Sequence, residues 1–312
     1  VYNNGVQMES WGNLTKDQAS RFYVETFLAL VSDYVRVEDN TAVGAPPAAT
    51  ALTGLALSGG SDGIPSDPDK QDELLIGSLL GYTGIYTFSE PEQIDIDLIA
   101  VPGHGSTSVV SALLDLCQNV RMDCLAVIDP PFGLTVSEIV AWQNGSHPLN
   151  LTRFDSDFGA IYWPCVKMRD NYNRVDVWVP PSGSVMATIA RSDFLSAPWF
   201  APAGLNRGIV PNITDVFNRP TLGERDLMYG YRNCINPIVQ FADVDGFVIW
   251  GQKTLQRRPT ALDRVNVRRL LFVCEKRVRA ASRALLFDPH DDIFRAKFVA
   301  IASDILREIQ VG

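Results

Sequence analysis

The sequence predicts an α/β fold, with a mostly parallel, doubly wound sheet flanked by helices. From Ile94 onward, short apolar runs alternate with amphipathic stretches at helical spacing, and strands that alternate with helices favour a parallel sheet covered on both faces. Turn-forming pairs such as Pro102-Gly103 and Pro130-Pro131 follow the apolar runs, as expected where a strand gives way to a loop.

The predicted elements follow the order of the chain. Residues 16–31 have apolar positions at helical spacing and predict a helix, and 34–37 predicts a short strand after it. Glycine, serine and proline dominate 57–70, which predicts a loop. The later predicted strands are 97–101, 124–128, 159–163, 175–179, 235–241 and 246–250, with a hairpin turn at 243–246. The later predicted helices are 106–120, with Ser106 as its N-cap, then 135–142, 182–191, 223–231, 262–286 and 291–309.

The composition is that of an ordinary globular protein, with 312 residues, 46% hydrophobic and 20% charged. No apolar run reaches the roughly 18 residues of a membrane span. The five cysteines are an odd number and widely spaced, which suits reduced core thiols in a cytosolic setting. Because the chain starts at Val1 rather than Met, we expect a fragment of a longer protein.

Charge is distributed unevenly along the chain. Ten basic residues lie between Lys253 and Arg283, opposed only by Asp263 and Glu275, so this segment carries +8 and the remainder −17. The basic segment could bind nucleic acid, or it could meet the acidic face of another copy of the chain. No aromatic platform accompanies its arginines, and the overall acidity opposes nonspecific binding, so protein contact is favoured.

A histidine at the carboxyl end of a predicted strand suggests a hydrolase. His104 could follow Asp95 or Asp97 and precede Ser182 or Ser184, which gives the Asp, His, Ser order of subtilases. Neither serine has a convincing nucleophile context or oxyanion partner. A loop histidine beside a helix cap is the simpler interpretation, and an α/β serine hydrolase stays open as an alternative.

Other motifs are weaker. The Gly-x-Ser-x-Gly spacing at 59–63 lacks the strand and helix that a nucleophile elbow needs. Asp288, His290, Asp291 and Asp292 match no standard metal site, and helix capping is the favoured role. There is no phosphate-binding loop, GxGxxG or close cysteine pair, so we expect no catalytic residues, no cofactor and no metal.

Ten blocks occur in one order along the chain. They are PG at 102–103, IDPP at 128–131, WQNG at 142–145, AIYWP at 160–164, VPPSG at 179–183, APAGLNRG at 201–208, ERD at 224–226, INPI at 235–238, WGQKT at 250–254 and DRVNVRR at 263–269. The set resembles the conserved core of contractile phage tail sheath proteins, a family also found in related contractile injection systems. The resemblance covers 53–312, and residues 1–52 are similar to the junction with a more variable outer domain.

The resemblance implies a structural role without catalysis. Sheath subunits form hexameric rings around an inner tube and contract to drive it through a cell envelope. The implied partners are other copies of the chain, the inner tail tube protein, the baseplate and the tail terminator, with no nucleic acid and no membrane in the resting state. The implied location is the virion tail, assembled in the host cytoplasm. Relative to the family, 53–312 lacks a C-terminal hairpin and arm, which suggests a protease-resistant fragment.

Combining the charge pattern with the resemblance gives a candidate subunit interface. Its residues are Lys253, Arg257, Arg258, Arg264, Arg268 and Arg269. We expect them to face an acidic patch of a neighbouring subunit. Reversing Arg268 and Arg269 to glutamate is then expected to impair sheath assembly.

Overall fold

A computed structural model of the chain describes residues 2–3, 6–15, 17–38, 65, 67–230 and 232–311. The chain divides into two compact units, Val1–Asp62 and Gly63–Gly312. The predicted domain boundary at 52/53 and the Gly-x-Ser-x-Gly motif at 59–63 lie outside the described residues. The division at 52/53 therefore stays a prediction.

The described part of the first unit contains β1 (Tyr2–Asn3), β2 (Val6–Gln7) and α1 (Val24–Val31). The two strands pair antiparallel. The helix predicted over 16–31 is confirmed only in its second half. The strand predicted at 34–37 is wrong, because the Ser32 hydroxyl accepts the backbone N–H groups of Tyr34 and Val35 and turns the chain there.

The second unit contains the predicted alternation of strands and helices. Its helices are α2 (Pro68–Ile76), α3 (Thr107–Asp115), α4 (Val136–Gln143), α5 (Ser182–Leu195), α6 (Leu222–Met228), α7 (Val265–Ser282) and α8 (Asp292–Val311). Its strands are β3 (Leu98–Ile99), β4 (Leu125–Ile128), β5 (Gly159–Trp163), β6 (Val166–Asp170), β7 (Val175–Val179), β8 (Ile209–Val210), β9 (Ile213–Val216), β10 (Ile235–Gln240) and β11 (Phe247–Ile249). Every strand and helix predicted after residue 94 has a counterpart here.

The main sheet has six strands in the order β3-β4-β5-β10-β11-β8. Its first four strands run parallel, and β11 and β8 add an antiparallel edge. The predicted hairpin is confirmed, since Ile238 of β10 lies opposite Ile249 of β11. Helices α3 and α5 pack near β4, and α6 packs near β10. The predicted fold class, a mostly parallel α/β sheet flanked by helices, is therefore confirmed.

Strand β7 departs from the expected arrangement, because it belongs to a second sheet. It pairs antiparallel with β6, which pairs on its other side with β9. Most of β7 is exposed, whereas every residue of β4 and β5 is buried. The second sheet therefore adds a solvent-facing layer beside the core.

Side-chain caps fix where several helices begin. Ser106 accepts the backbone N–H of Val109 at the start of α3, as predicted. Thr135 and Glu138 form a reciprocal capping box at the start of α4. Of the loop predicted over 57–70, residues 57–64 and 66 lie outside the described residues. The prediction is wrong at 68–70, because α2 already begins there: Pro68 occupies its first turn and the Asp67 side chain caps it.

Candidate subunit interface

The six residues of the predicted interface lie on a short stretch that follows β11 and enters α7. The buried residues of α7 are Val265, Arg268, Arg269 and Phe272, which stand at the i, i+3, i+4, i+7 spacing of one helix face. Two of the predicted interface arginines therefore belong to the face that α7 turns toward the core.

Arg268 is packed between two aromatic rings. Only 7% of the residue is exposed, and its guanidinium carbon lies 3.7 Å from the ring centroid of Phe158 and 4.6 Å from that of Phe272. Its Nε lies 3.4 Å from a carboxylate oxygen of Asp157. Burial lowers the pKa of Arg268, and the nearby Asp157 carboxylate opposes that shift. The side chain is thus a charged member of the core.

Arg269 connects α7 to the end of α5. It is 3% exposed, and its two terminal nitrogens donate to the two carboxylate oxygens of Asp193, one of them at 2.8 Å. The same Nη1 donates to the carbonyl of Pro198 at 3.3 Å. A paired guanidinium–carboxylate contact of this kind fixes orientation as well as distance.

Lys253 is also occupied within the subunit. Its ammonium donates to the carbonyls of Tyr229 at 2.9 Å and Gly230 at 2.8 Å, just past the end of α6. A cation suits this end of a helix because the last carbonyls carry partial negative charge. Burial lowers the pKa of Lys253. Arg264 donates to the Tyr229 hydroxyl at 2.8 Å and pairs with Asp263 at 3.2 Å.

Arg257 and Arg258 differ from these four. Arg258 is exposed and Arg257 is half-buried. Neither guanidinium has an ion-pair partner among the residues that the structure describes. Of the predicted set, Arg258 is the residue whose charge is most available to another molecule, and the charge of Arg257 is available only in part, because its Nε is buried.

Much of the remaining basic segment is neutralised by the same chain. Lys276 lies 2.7 Å from both Asp95 and Asp97, the two carboxylates considered for a hydrolase. Further pairs join Arg283 to Glu92 and Arg277 to Glu308. Six of the ten basic residues thus pair with acidic residues of their own subunit. This weakens the nucleic-acid interpretation. It also means that these six residues have acidic partners without a neighbouring subunit.

The structure gives no hydrogen bond between His104 and Ser182 or Ser184, and the Ser184 hydroxyl lies 3.6 Å from the sulfur of Met168. Ser182 is fully buried, and its hydroxyl donates to Asp129 at 2.5 Å. Burial raises the pKa of Asp129 to about 6, although the hydrogen bonds from Ser182 and Gly103 act in the opposite direction. His104 faces Asp72 instead, with 4.0 Å between Nδ1 and the carboxylate. The geometry is that of a buried carboxylate holding the start of α5 against the end of β4.

Of the residues predicted to cap a helix between α7 and α8, Asp291 does so. Asp291 accepts the backbone N–H of Phe294 at 2.7 Å, which caps α8, and Asp288 lies 3.7 Å from the ammonium of Lys297. Across the described ranges, no three His, Cys, Asp or Glu side chains stand where they could share a metal ion. None of the helices described is both long enough and apolar enough to span a membrane.

Comparison with known proteins decides the family. Residues 82–255, more than half of the chain, match the family model described as the phage tail sheath protein central domain. The chain belongs to the phage tail sheath family. It is 30% identical over 248 residues to the tail sheath protein of Vibrio phage KVP40, covering 73% of this chain and 36% of that protein. It is 28% identical over 295 residues to the tail sheath protein of Enterobacteria phage T4, covering 89% of this chain and 42% of that protein.

Solved structures agree with this sheath fold. This chain resembles a chain of the anti-feeding prophage baseplate in its contracted state, with a TM-score of 0.62 and 20% identity over 80% of this chain and 64% of that one. A chain of the contracted sheath complex of the extracellular contractile injection system PVC gives a TM-score of 0.59 and 21% identity, over 73% of this chain and 59% of that one. At this identity the likeness concerns the fold alone. Because the family consists of structural sheath proteins, the hydrolase hypothesis is set aside.

Proposed function

We propose that this chain is the core of a sheath subunit that polymerises with copies of itself as hexameric rings around an inner tube. Contraction of the sheath then drives the tube through a cell envelope. The match of residues 82–255 to the sheath central domain carries the proposal, and the likeness to chains of contracted sheath assemblies supports it. The proposed partners are further copies, the inner tail tube protein, the baseplate and the tail terminator. The proposed location is the virion tail, after assembly in the host cytoplasm.

The internal ion pairs suit a subunit that moves as a body. Arg268 joins α7 to the residues before β5, Arg269 joins it to α5, and Lys276 joins it to the residues before β3. Rigid-body transitions repack the interfaces between subunits while each subunit keeps its own packing. A helix held at three places along its length supports that behaviour.

The candidate interface is proposed in a narrower form. Arg257 and Arg258 would meet a carboxylate-bearing surface of a neighbouring copy. Lys253, Arg268 and Arg269 would hold that stretch in position from inside the subunit. Arg264 is half-buried and contributes to both groups.

Negative-stain electron microscopy of the full-length protein tests the proposal. We expect tubes with six-fold symmetry, and monodisperse globular particles under every assembly condition would contradict the proposed function. The double variant Arg257→Glu and Arg258→Glu should shorten or abolish the tubes. Arg279→Glu is the matched control, because Arg279 is an exposed arginine of α7 outside the predicted set. Equal tube formation by the double variant and the wild type would remove these two arginines from the interface.

A further inference from the structure

A partly apolar pocket of about 470 Å³ lies next to α6 and the end of β11. Leu222, Phe241 and Trp250 form its apolar walls, and Arg225 and Gln252 are polar members of its lining. The rings of Phe241 and Trp250 meet at an angle of 68° with their centroids 4.6 Å apart. Trp250 lines the pocket and is 42% exposed, so the walls offer an aromatic surface to a ligand.

Two buried side-chain atoms of the pocket lining have no hydrogen-bond partner in the described part of the chain. The Nε of Arg225 and the Oε1 of Gln252 are both buried and form no hydrogen bond there. The Arg225 guanidinium stacks 5.2 Å from the centroid of Phe241 and takes part in no ion pair among the described residues. Buried polar groups are normally satisfied. A guanidinium with an unused donor and a separate unused acceptor, both beside aromatic walls, fit a peptide that carries a carboxylate next to a large apolar side chain.

The chain carries such a peptide on its own surface, in the connection between α7 and α8. Leu286 is 73% exposed and Phe287 is 95% exposed. Asp288 follows them directly, and Asp291 and Asp292 continue the acidic run. A phenylalanine this exposed makes almost no contact within its own subunit. Among the described residues, the Asp288 carboxylate has one ion pair, with Lys297 at 3.7 Å, and an exposed pair of this kind costs little to exchange.

We propose that the α7–α8 connection of a second copy docks in this pocket. Phe287 packs against Phe241 and Trp250, and Asp288 pairs with Arg225. A backbone N–H of the docked segment donates to Gln252. The inference rests on the proposed self-association of the sheath subunit and adds a specific contact to it. Because the pocket and the connection are different surfaces, one such contact between two copies is head-to-tail and can build a ring or a helix.

A labelled peptide tests the contact. The probe is a fluorescein-labelled, amidated peptide of residues 283–292, titrated with the complete 312-residue chain and followed by fluorescence anisotropy. We expect saturable binding with a dissociation constant of roughly 100 μM. Arg225→Gln in the chain, or Phe287→Ala in the peptide, should weaken binding at least about fivefold. Asp226→Asn should leave binding equal or stronger, since it removes a carboxylate from the pocket lining.

Arg232→Gln is the matched control, because Arg232 is an exposed arginine outside the pocket lining, and circular dichroism checks that each variant is folded. Absence of saturable binding up to about 1 mM peptide would overturn the inference, as would equal binding by the wild type and Arg225→Gln. Either result leaves tube formation intact as the measure of the proposed function, so the two failures are distinguishable. Peptide binding without tubes would retain this contact and contradict polymerisation.

Discussion

Replacing Arg269 with methionine should remove the buried cation of an ion pair while keeping a side chain of similar length. Arg269 is 3% exposed, and its partner Asp193 would lose both hydrogen bonds from the guanidinium. Removing one member of a buried pair typically costs about 3–5 kcal/mol. The Asp193 side chain is 23% exposed and can be hydrated again, so we expect the lost ion pair to lower the free energy of unfolding by about 3 kcal/mol. The lost hydrogen bond to the Pro198 carbonyl adds about 1 kcal/mol, which gives a total of about 4 kcal/mol.

The assay is urea and thermal unfolding of the second unit within the complete chain. For a unit of this size a loss of 1 kcal/mol lowers Tm by about 2–4 °C, so a fall of roughly 8–16 °C is expected. The double variant Arg269→Met and Asp193→Leu should recover more than half of the loss, because no charge is then left without its partner. Arg258→Met is the matched control and should change the free energy of unfolding by less than about 0.5 kcal/mol, since Arg258 is exposed.

Equal stability of Arg269→Met and Arg258→Met would refute this reasoning and return Arg269 to the intersubunit surface. The same geometry changes how the sequence-based test should be interpreted. Glutamate at Arg268 and Arg269 would face Asp157 and Asp193 at short range. That double reversal should fail to fold, so a loss of sheath assembly would not report on an interface.

Three further outcomes are expected. Burial raises the pKa of Asp129 to about 6, so the folded state binds more protons than the unfolded state between pH 4 and 6. The free energy of unfolding should therefore fall as pH rises through that range, by on the order of 3 kcal/mol relative to Asp129→Asn. Parallel pH profiles of the two proteins in urea unfolding would contradict this. Gly251→Ala would place a methyl group 2.8 Å from the Tyr229 ring and should lower the free energy of unfolding by about 1–3 kcal/mol. Gly183→Ala on α5 would place its methyl group in open space, so this control should be neutral or stabilising when both variants are compared by thermal unfolding. Lys276→Met should lower the free energy of unfolding by at most about 1 kcal/mol, because both carboxylate partners of Lys276 are exposed. A decrease above about 2 kcal/mol, or one that high salt leaves unchanged, would show that these ion pairs contribute more than their exposure implies.

The elements that the sequence predicts best are those defined by their own residues, either by an unbroken buried run or by a local cap. Strand β5 is buried at every position, and its bounds follow directly from the apolar run. The starts of α3 and α4 follow from Ser106 and Thr135, because capping is a local interaction between a side chain and the next turn.

The second sheet shows why other strands escape prediction. Strand β6 reads VKMRD and β9 reads ITDV, so each mixes charged and apolar residues over four or five positions. Their pairing also contains a register irregularity between Lys167 and Met168. Such strands are defined by their partners across the sheet, about 50 residues away in the chain, and not by an apolar run of their own.

The basic segment shows the same limit for the candidate site. Counting charges gave +8 for Lys253–Arg283, but the carboxylates that neutralise it lie far away in sequence; Asp95 precedes Lys276 by 181 residues. One local signal was available. Val265, Arg268, Arg269 and Phe272 share one helix face, and this spacing indicates that the two arginines accompany apolar residues into the core.

The buried arginines of α7 are better explained by their control over the position of the helix than by a contribution to the stability of the fold. An apolar pair of similar volume often gives equal or greater stability than a buried ion pair. A guanidinium that binds two oxygens of one carboxylate, however, accepts a single orientation, and an apolar contact tolerates sliding. The contact at Arg269 therefore fixes the orientation of α7 against α5, and the contacts at Arg268 and Lys276 join the helix to the residues before β5 and β3. Arg257 and Arg258 precede this helix in the chain. In the proposed sheath lattice, an interface that depends on these two charges would be specific only if the subunit beneath it kept its own packing.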